Sequence, residues 1–246
     1  MSKVKVVLFT ILTIIVYILQ YILTAICVFA ALAALFIRSK KFLYFVHWFW
    51  GNSLFWAMGK RLKITGKENM DNSKNYILLS NHTSIYDIPG ILAFKPRVSW
   101  LGREYLLRIP FFGNLLKKTD YIPVFPGDTE RSKKSINEAI SKSGFITISI
   151  FPEGTRTYDG KLQDLKKGFI YILRDTELDL LPITINGLFK LKPRTRFFMD
   201  FCTKPEIIIH EPIQNQLLKK KSDDKIIKMV YDIIESELRI DTEKKR

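Results

Sequence analysis

The chain has 246 residues, a formal net charge of +15 and two cysteines, a length that suits one core of ordinary size plus an attachment. Cys27 lies in a long apolar run and Cys202 near the end of "RFFMDFC", which excludes a disulfide framework and fits a reducing compartment. The three histidines are scattered and no Cys/His cluster has ligand spacing, so no metal and no cofactor are expected.

Residues 6–37 carry no charged side chain. As one straight helix this run extends about 48 Å at roughly 1.5 Å per residue, against a hydrocarbon core of about 30 Å. It therefore predicts a retained membrane anchor that either projects from the bilayer or bends back within it; a cleaved signal peptide would have an apolar region of only about 7–15 residues. "FLYFVHWFWGNSLFWAMG", Phe42 to Gly59, is dense in aromatic rings and bracketed by "RSKK" and "KRLK". Amphipathic rings with basic flanks suit the membrane–water interface on the cytoplasmic side; a buried aromatic helix is the alternative. Residues 1–60 thus read as an anchor with an interfacial helix, in which His47 is an interfacial or packed side chain. The basic charge of the remaining chain could attract anionic lipid, an acidic carrier protein or nucleic acid. The anchor favours the lipid surface, and no zinc-finger spacing, helix-turn-helix signal or basic–aromatic strand motif supports nucleic acid.

From residue 61 onward, short apolar runs alternate with polar, periodic segments. "YILLS", "RVSWLG", "FITISIF" and "LLPITI" read as buried strands; "REYLLRIPFFGNLLKK", "TERSKKSINEAISKSG" and "LKKGFIYILRDT" read as helices. This alternation predicts an α/β domain over 61–246, a mainly parallel sheet flanked by helices, with "DDKIIKMVYDIIESEL" as a packing helix. His210, in "EIIIHEP", reads as a strand-end surface residue. Functional groups in such sheets gather beyond the carboxyl ends of strands, and two polar clusters follow strands directly: "NHTSIYD" and "FPEGTR".

In the first cluster, His82 is available as a general base because an imidazole of ordinary pKa, about 6.5, is largely unprotonated at neutral pH. Asp87 is placed to hold its other ring nitrogen if the chain turns at once into a helix. Helix capping is the competing role for Asp87, since Ser84 and Asp87 have capping-box spacing and Pro89 suits a first turn. In the second cluster, Gly154 allows close approach of backbone to a ligand, neighbouring amides can face an anion, and the planar fork of Arg156 suits phosphate. Glu153 would orient that arginine or accept a ligand hydroxyl. Arg103 and Arg108 add two cations in "GREYLLRIPFFG".

With these blocks in view, the chain resembles the 1-acylglycerol-3-phosphate acyltransferases of the glycerolipid acyltransferase superfamily, from about Gly66 to Asn186. "NHTSIYD" is similar to the family's Asn-His-x4-Asp block, with His82 and Asp87 at the catalytic positions. "FPEGTR" matches its glycerophosphate-binding block and carries over Glu153, Gly154, Thr155 and Arg156. "LLPITI", with Pro182, and "LKKG" resemble two further segments. The second block departs from the family's two basic residues and glutamate, so Arg103 alone carries over there, and Phe125-Pro126 stands where Asp-Arg is common. The anchor and aromatic segment resemble the two-helix membrane attachment of some bacterial members. The resemblance implies acyl transfer from acyl-CoA or acyl carrier protein to the sn-2 hydroxyl of lysophosphatidate, with membrane lipids as further partners and the cytoplasmic membrane as the location. Consistently, no G-x-S-x-G elbow is present and neither cysteine lies near His82 in sequence, so no acyl-enzyme is called for. Acylation of glycerol 3-phosphate or another lysophospholipid, and a catalytically silent anionic-lipid-binding protein, are the alternative readings.

Overall fold

The computed structural model describes residues 2–143 and 147–240. In chain order the elements are α1 (Lys3–Phe36), α2 (Lys40–Ala57), β1 (Lys63–Thr65), β2 (Tyr76–Ser80), α3 (Asp87–Leu92), β3 (Ser99–Arg103), α4 (Phe112–Lys118), β4 (Ile122–Val124), α5 (Thr129–Ser143), β5 (Ile148–Ile150), α6 (Gly168–Asp175), β6 (Asp179–Asn186), α7 (Leu188–Leu191), β7 (Glu206–Ile209), α8 (Asn215–Lys219) and α9 (Asp223–Ser236). The first two residues of "FITISIF" lie outside the described residues.

The strands form one sheet in the order β1-β7-β6-β2-β5-β3-β4. β6, β2, β5, β3 and β4 run parallel to one another; β7 is antiparallel to β6 and carries β1 parallel to itself. The mainly parallel α/β sheet flanked by helices is therefore observed. Every residue of β2 is buried, because helices cover both faces, which is why "YILLS" is continuously apolar instead of alternating. One face packs Ile77, Leu79 and Ile148 against Ile136 of α5, Phe169 and Ile172 of α6, and Ile226, Val230 and Ile234 of α9. The other packs Leu78, Leu181 and Ile183 against Phe55 of α2, Ile91 of α3 and Leu188 of α7. Pro182 sits inside β6 without breaking it. Its carbonyl accepts the His210 amide at 3.1 Å, so its missing N–H faces the same side, just beyond the end of β7.

"REYLLRIPFFGNLLKK" is not one helix. Arg103 ends β3, a 3₁₀ turn covers Glu104–Arg108, and α4 starts only at Phe112. Pro110 disfavours helical backbone at Ile109, which is extended (φ −70°, ψ 125°).

The N-terminal segment forms two antiparallel helices, shown by the side-chain bonds of Gln20 Nε2 to the Leu54 carbonyl (2.9 Å) and Trp50 Nε1 to Thr24 Oγ1 (3.0 Å). Among the described residues, α1 is the one helix long and apolar enough to cross a membrane, and most of its large side chains are exposed. Its buried stripe, Phe9, Thr13, Val16, Gln20, Cys27, Ala31 and Ala34, recurs at three-, four- and seven-residue steps and faces α2 and the sheet domain. Gln20 Oε1 accepts the Tyr86 hydroxyl at 2.7 Å, and Thr13 Oγ1 accepts the Met199 amide at 2.8 Å. The hairpin is thus seated directly over α3, the helix that begins at Asp87.

α2 reaches α3 through Gly51, where an added Cβ would lie 2.6 Å from the Pro89 carbonyl oxygen and 2.7 Å from the Ala93 nitrogen. Both obstacles are backbone and cannot rotate aside. Gly51→Ala is expected to cost about 1–3 kcal/mol and to lower the melting temperature by several degrees in detergent; an unchanged melting temperature would show that α2 and α3 separate freely.

Candidate active site

The site is built at the carboxyl edge of the parallel strands. β2 ends at Ser80, and the buried Asn81 side chain then continues the sheet: Nδ2 donates to the Ile185 carbonyl (2.9 Å) and Oδ1 accepts the Ile185 amide (2.7 Å). An amide can mimic a peptide group in both roles, so the chain leaves β2 pinned to β6 and delivers His82 at a fixed place. Nothing in the local sequence marks Asn81 for this task, because its partner lies 104 residues away.

His82 Nδ1 is 2.8 Å from Asp87 Oδ2. The Asp87 carboxylate is fully buried and also accepts the backbone amides of Thr83 (2.6 Å) and Ser84 (2.8 Å) and the Thr83 hydroxyl (3.2 Å). A carboxylate so surrounded is an acceptor to every neighbour, so Nδ1 carries the proton and Nε2 the lone pair. Capping and orientation are therefore simultaneous. Asp87, the first residue of α3, completes half of a capping box by taking the Ser84 amide, while the Ser84 hydroxyl donates instead to the Lys192 carbonyl (2.8 Å).

"FPEGTR" closes over His82 from β5. The Phe151 ring stacks on the imidazole with centroids 4.0 Å apart and planes 14° from parallel. Glu153 Oε1 accepts the His82 amide (2.5 Å), and the Thr157 amide donates to the His82 carbonyl (2.8 Å). Both peptide groups of the histidine are thus held by the second motif and the residue that follows it.

This changes the role expected of Glu153. It is buried, and its second oxygen accepts the Gln163 amide at 3.0 Å; among the described residues neither oxygen meets the Arg156 guanidinium. Burial pushes its carboxyl up to about 7, opposed by the two amides. Gly154 also differs from expectation in one respect, since its own amide is used within the turn by the Phe151 carbonyl (3.0 Å). Its positive φ of 72° explains the glycine.

Thr155 is exposed and Arg156 half-buried at the mouth of the loop. Arg103 is exposed at the end of β3, across β5 from β2, with its carbonyl accepting the Tyr121 hydroxyl at 2.9 Å. Parallel strands place His82, the "FPEGTR" loop and Arg103 on one edge. Arg108 does not join them through a free fork; it pairs with Glu104 at 3.1 Å on the surface. His47 bonds the Pro96 carbonyl, and His210 is half-buried against Thr184 Oγ1 (2.8 Å) instead of lying on the surface. Among the described residues no three His, Cys, Asp or Glu side chains gather as metal ligands do.

Residues 61–186 match the family model described as Acyltransferase. The chain belongs to this acyltransferase family. It is 31% identical over 141 residues to the 1-acyl-sn-glycerol-3-phosphate acyltransferase of Cocos nucifera, covering 56% of this chain and 45% of that protein. It is 33% identical over 136 residues to the enzyme of the same name from Borreliella burgdorferi, covering 53% of each. The chain spans about half the length of these curated relatives. The crystal structure of the 1-acyl-sn-glycerophosphate (LPA) acyltransferase PlsC from Thermotoga maritima superposes with a TM-score of 0.77 at 25% identity, covering 96% of this chain and 95% of that one. The likeness to that acyltransferase therefore extends over the N-terminal helices as well as the sheet.

The Glu153 carboxyl predicts a pH signature. Between its ordinary pKa of 4.5 and about 7, the folded chain keeps a proton that the unfolded chain has released. The stability this group contributes is full below about 4.5 and is lost as pH rises through about 7, by up to about 3 kcal/mol. The melting temperature of the wild type relative to Glu153→Gln should accordingly fall between pH 5 and pH 8; a difference that stays constant across that window would show that the carboxyl does not titrate there.

Proposed function

We propose that this protein transfers a fatty acyl group from a thioester donor, acyl-CoA or acyl carrier protein, to the sn-2 hydroxyl of lysophosphatidate, making phosphatidate. The observation that carries the reading is the His82–Asp87 hydrogen bond at the carboxyl edge of the sheet, held by the motif that also supplies Arg156. Relatives named for this activity come from plants, bacteria and yeast.

His82 Nε2 takes the proton of the acceptor hydroxyl as its oxygen attacks the thioester carbonyl, and Asp87 stabilises the imidazolium. Collapse of the tetrahedral intermediate expels the thiolate, which recovers the proton from His82, so no residue is acylated. Stacking on Phe151 and the two main-chain bonds remove freedom from the imidazole, and this positioning is what converts a weak base into an effective one. Arg156, with Arg103 and Thr155, binds the glycerophosphate head; Gly154 and Glu153 serve that site through the shape of the loop and its grip on His82. The apolar surface of α1 keeps the site at a bilayer, where a poorly soluble acceptor is delivered by lateral diffusion, and the basic body favours the cytoplasmic face of the cell membrane.

The test is thiol release from an acyl thioester, with and without lysophosphatidate, by the full chain in detergent. Wild type should show acceptor-dependent release that falls by about 10²–10⁴-fold in His82→Ala; retained turnover in the variant would remove His82 from the chemistry. Arg156→Ala should raise the acceptor KM about tenfold with kcat little changed, the loss of one charge-assisted contact, and an unchanged KM would take Arg156 out of the phosphate site. No release with either donor would leave an anionic-lipid-binding protein.

A further inference from the structure

The segment after α7, Lys192 to Arg196, lies beyond the residues matched to the family, yet the fold brings it to the mouth of the "FPEGTR" loop. Arg194 Nη1 lies 3.3 Å from Thr155 Oγ1 and 3.3 Å from the Arg156 carbonyl oxygen, and its guanidinium stacks on the Tyr158 ring at 4.0 Å. Lys192 is half-buried, with its ammonium held by the Pro193 and Arg196 carbonyls. Its carbonyl takes the Ser84 hydroxyl, which ties the segment to the His82 loop as well. Burial, then the charges of Arg156 and Arg196, hold the Lys192 amine below the ordinary lysine range. Among the described residues no carboxylate pairs with Arg156, Lys192 or Arg194, and the nearby Glu153 turns inward to backbone amides. Arg156, Lys192 and Arg194, with no paired carboxylate among the described residues, destabilise the folded chain unless a polyanion arrives to neutralise them.

We propose that Lys192 and Arg194 form the outer wall of the phosphate site whose inner residue is Arg156, and select acceptors whose headgroup is a phosphate monoester. This rests on the acyltransferase reading above. A monoester carries close to two negative charges at neutral pH, and a single arginine cannot match them; a second planar fork and an ammonium can. Stacking on Tyr158 fixes the plane of Arg194, while its Nε and Nη2 donors are unused by the described residues. A choline or glycerol diester would offer less charge to the same cations and would lose most of this attraction. The phosphates of a coenzyme A donor have the same chemistry, and the experiment separates the two sources.

Two measurements on the full chain in detergent decide it. In steady-state assays, Arg194→Ala and Lys192→Ala should raise the KM for lysophosphatidate about tenfold, with kcat within about twofold and the KM for acyl-CoA unchanged. Arg194→Lys should recover only part of the loss, because it keeps the charge without the fork. A rise in the acyl-CoA KM alone, or no change in either, overturns the proposal. In thermal melts, lysophosphatidate should raise the wild-type melting temperature and lysophosphatidylcholine should not; the shift should be lost in Arg194→Ala, whose unliganded melting temperature should be no lower than wild type. That result in a protein without acyltransferase turnover keeps the phosphate site and discards the catalytic reading. Equal shifts by both lipids, an undiminished shift in Arg194→Ala, or no shift in wild type overturns the site.

Discussion

The arrangement depends on one constraint, the grip of the "FPEGTR" loop on the main chain of His82. The residue's amide donates to Glu153 and its carbonyl accepts from Thr157, so a loop from β5 supplies both partners to the residue that follows β2 by two positions. A buried peptide group without partners costs about 1–3 kcal/mol, and the ladder of β2 with its neighbour β6 stops at the Ser80–Ile183 pair. The second motif takes the place of that neighbour. In doing so it ties the position of His82 to the position of the loop that carries Arg156.

The same loop separates charge by burial. Glu153 faces inward and is satisfied by two amides; Arg156 faces the mouth, joined by Arg194 from a distant segment. Asp87 repeats the logic on the other side of His82, buried and saturated with donors. Both carboxylates organise backbone, and the cations are left for solvent or a ligand. Burial disfavours the charged form of a carboxylate unless amides or hydroxyls surround it, and with only two amides Glu153 is still pushed up to about 7.

The N-terminal hairpin shares a packed layer with α3, which begins at Asp87. Phe55, Val16 and Tyr86 lie in one cluster with the central strands, and the Tyr86 hydroxyl is bonded to Gln20 of α1. The N-terminal helices and the His82 loop are therefore mechanically continuous: the residue beside Asp87 is held by the helix whose other side is exposed apolar surface.

Much of this was legible in the chain itself. Continuous apolar runs of five to eight residues mark strands covered on both faces, since burial on both sides removes the need for alternation, and the positions of "NHTSIYD" and "FPEGTR" after such runs place them on one edge. The spacing of His82 and Asp87 within a single turn made their contact a local matter, as did the apolar length of α1. Three things required the tertiary structure. Glu153 reads as a ligand residue in sequence, but its burial and its amide partners arise only when β5 docks beside β2. Asn81 is indistinguishable from a loop residue until β6 arrives with Ile185. Arg194 carries no local signal, because what gives it meaning is proximity to Arg156 across 38 residues of chain. Periodicity and short motifs encode what the backbone does within a few residues; which distant peptide group satisfies a buried acceptor, and which cations share a surface, is decided only when the sheet closes.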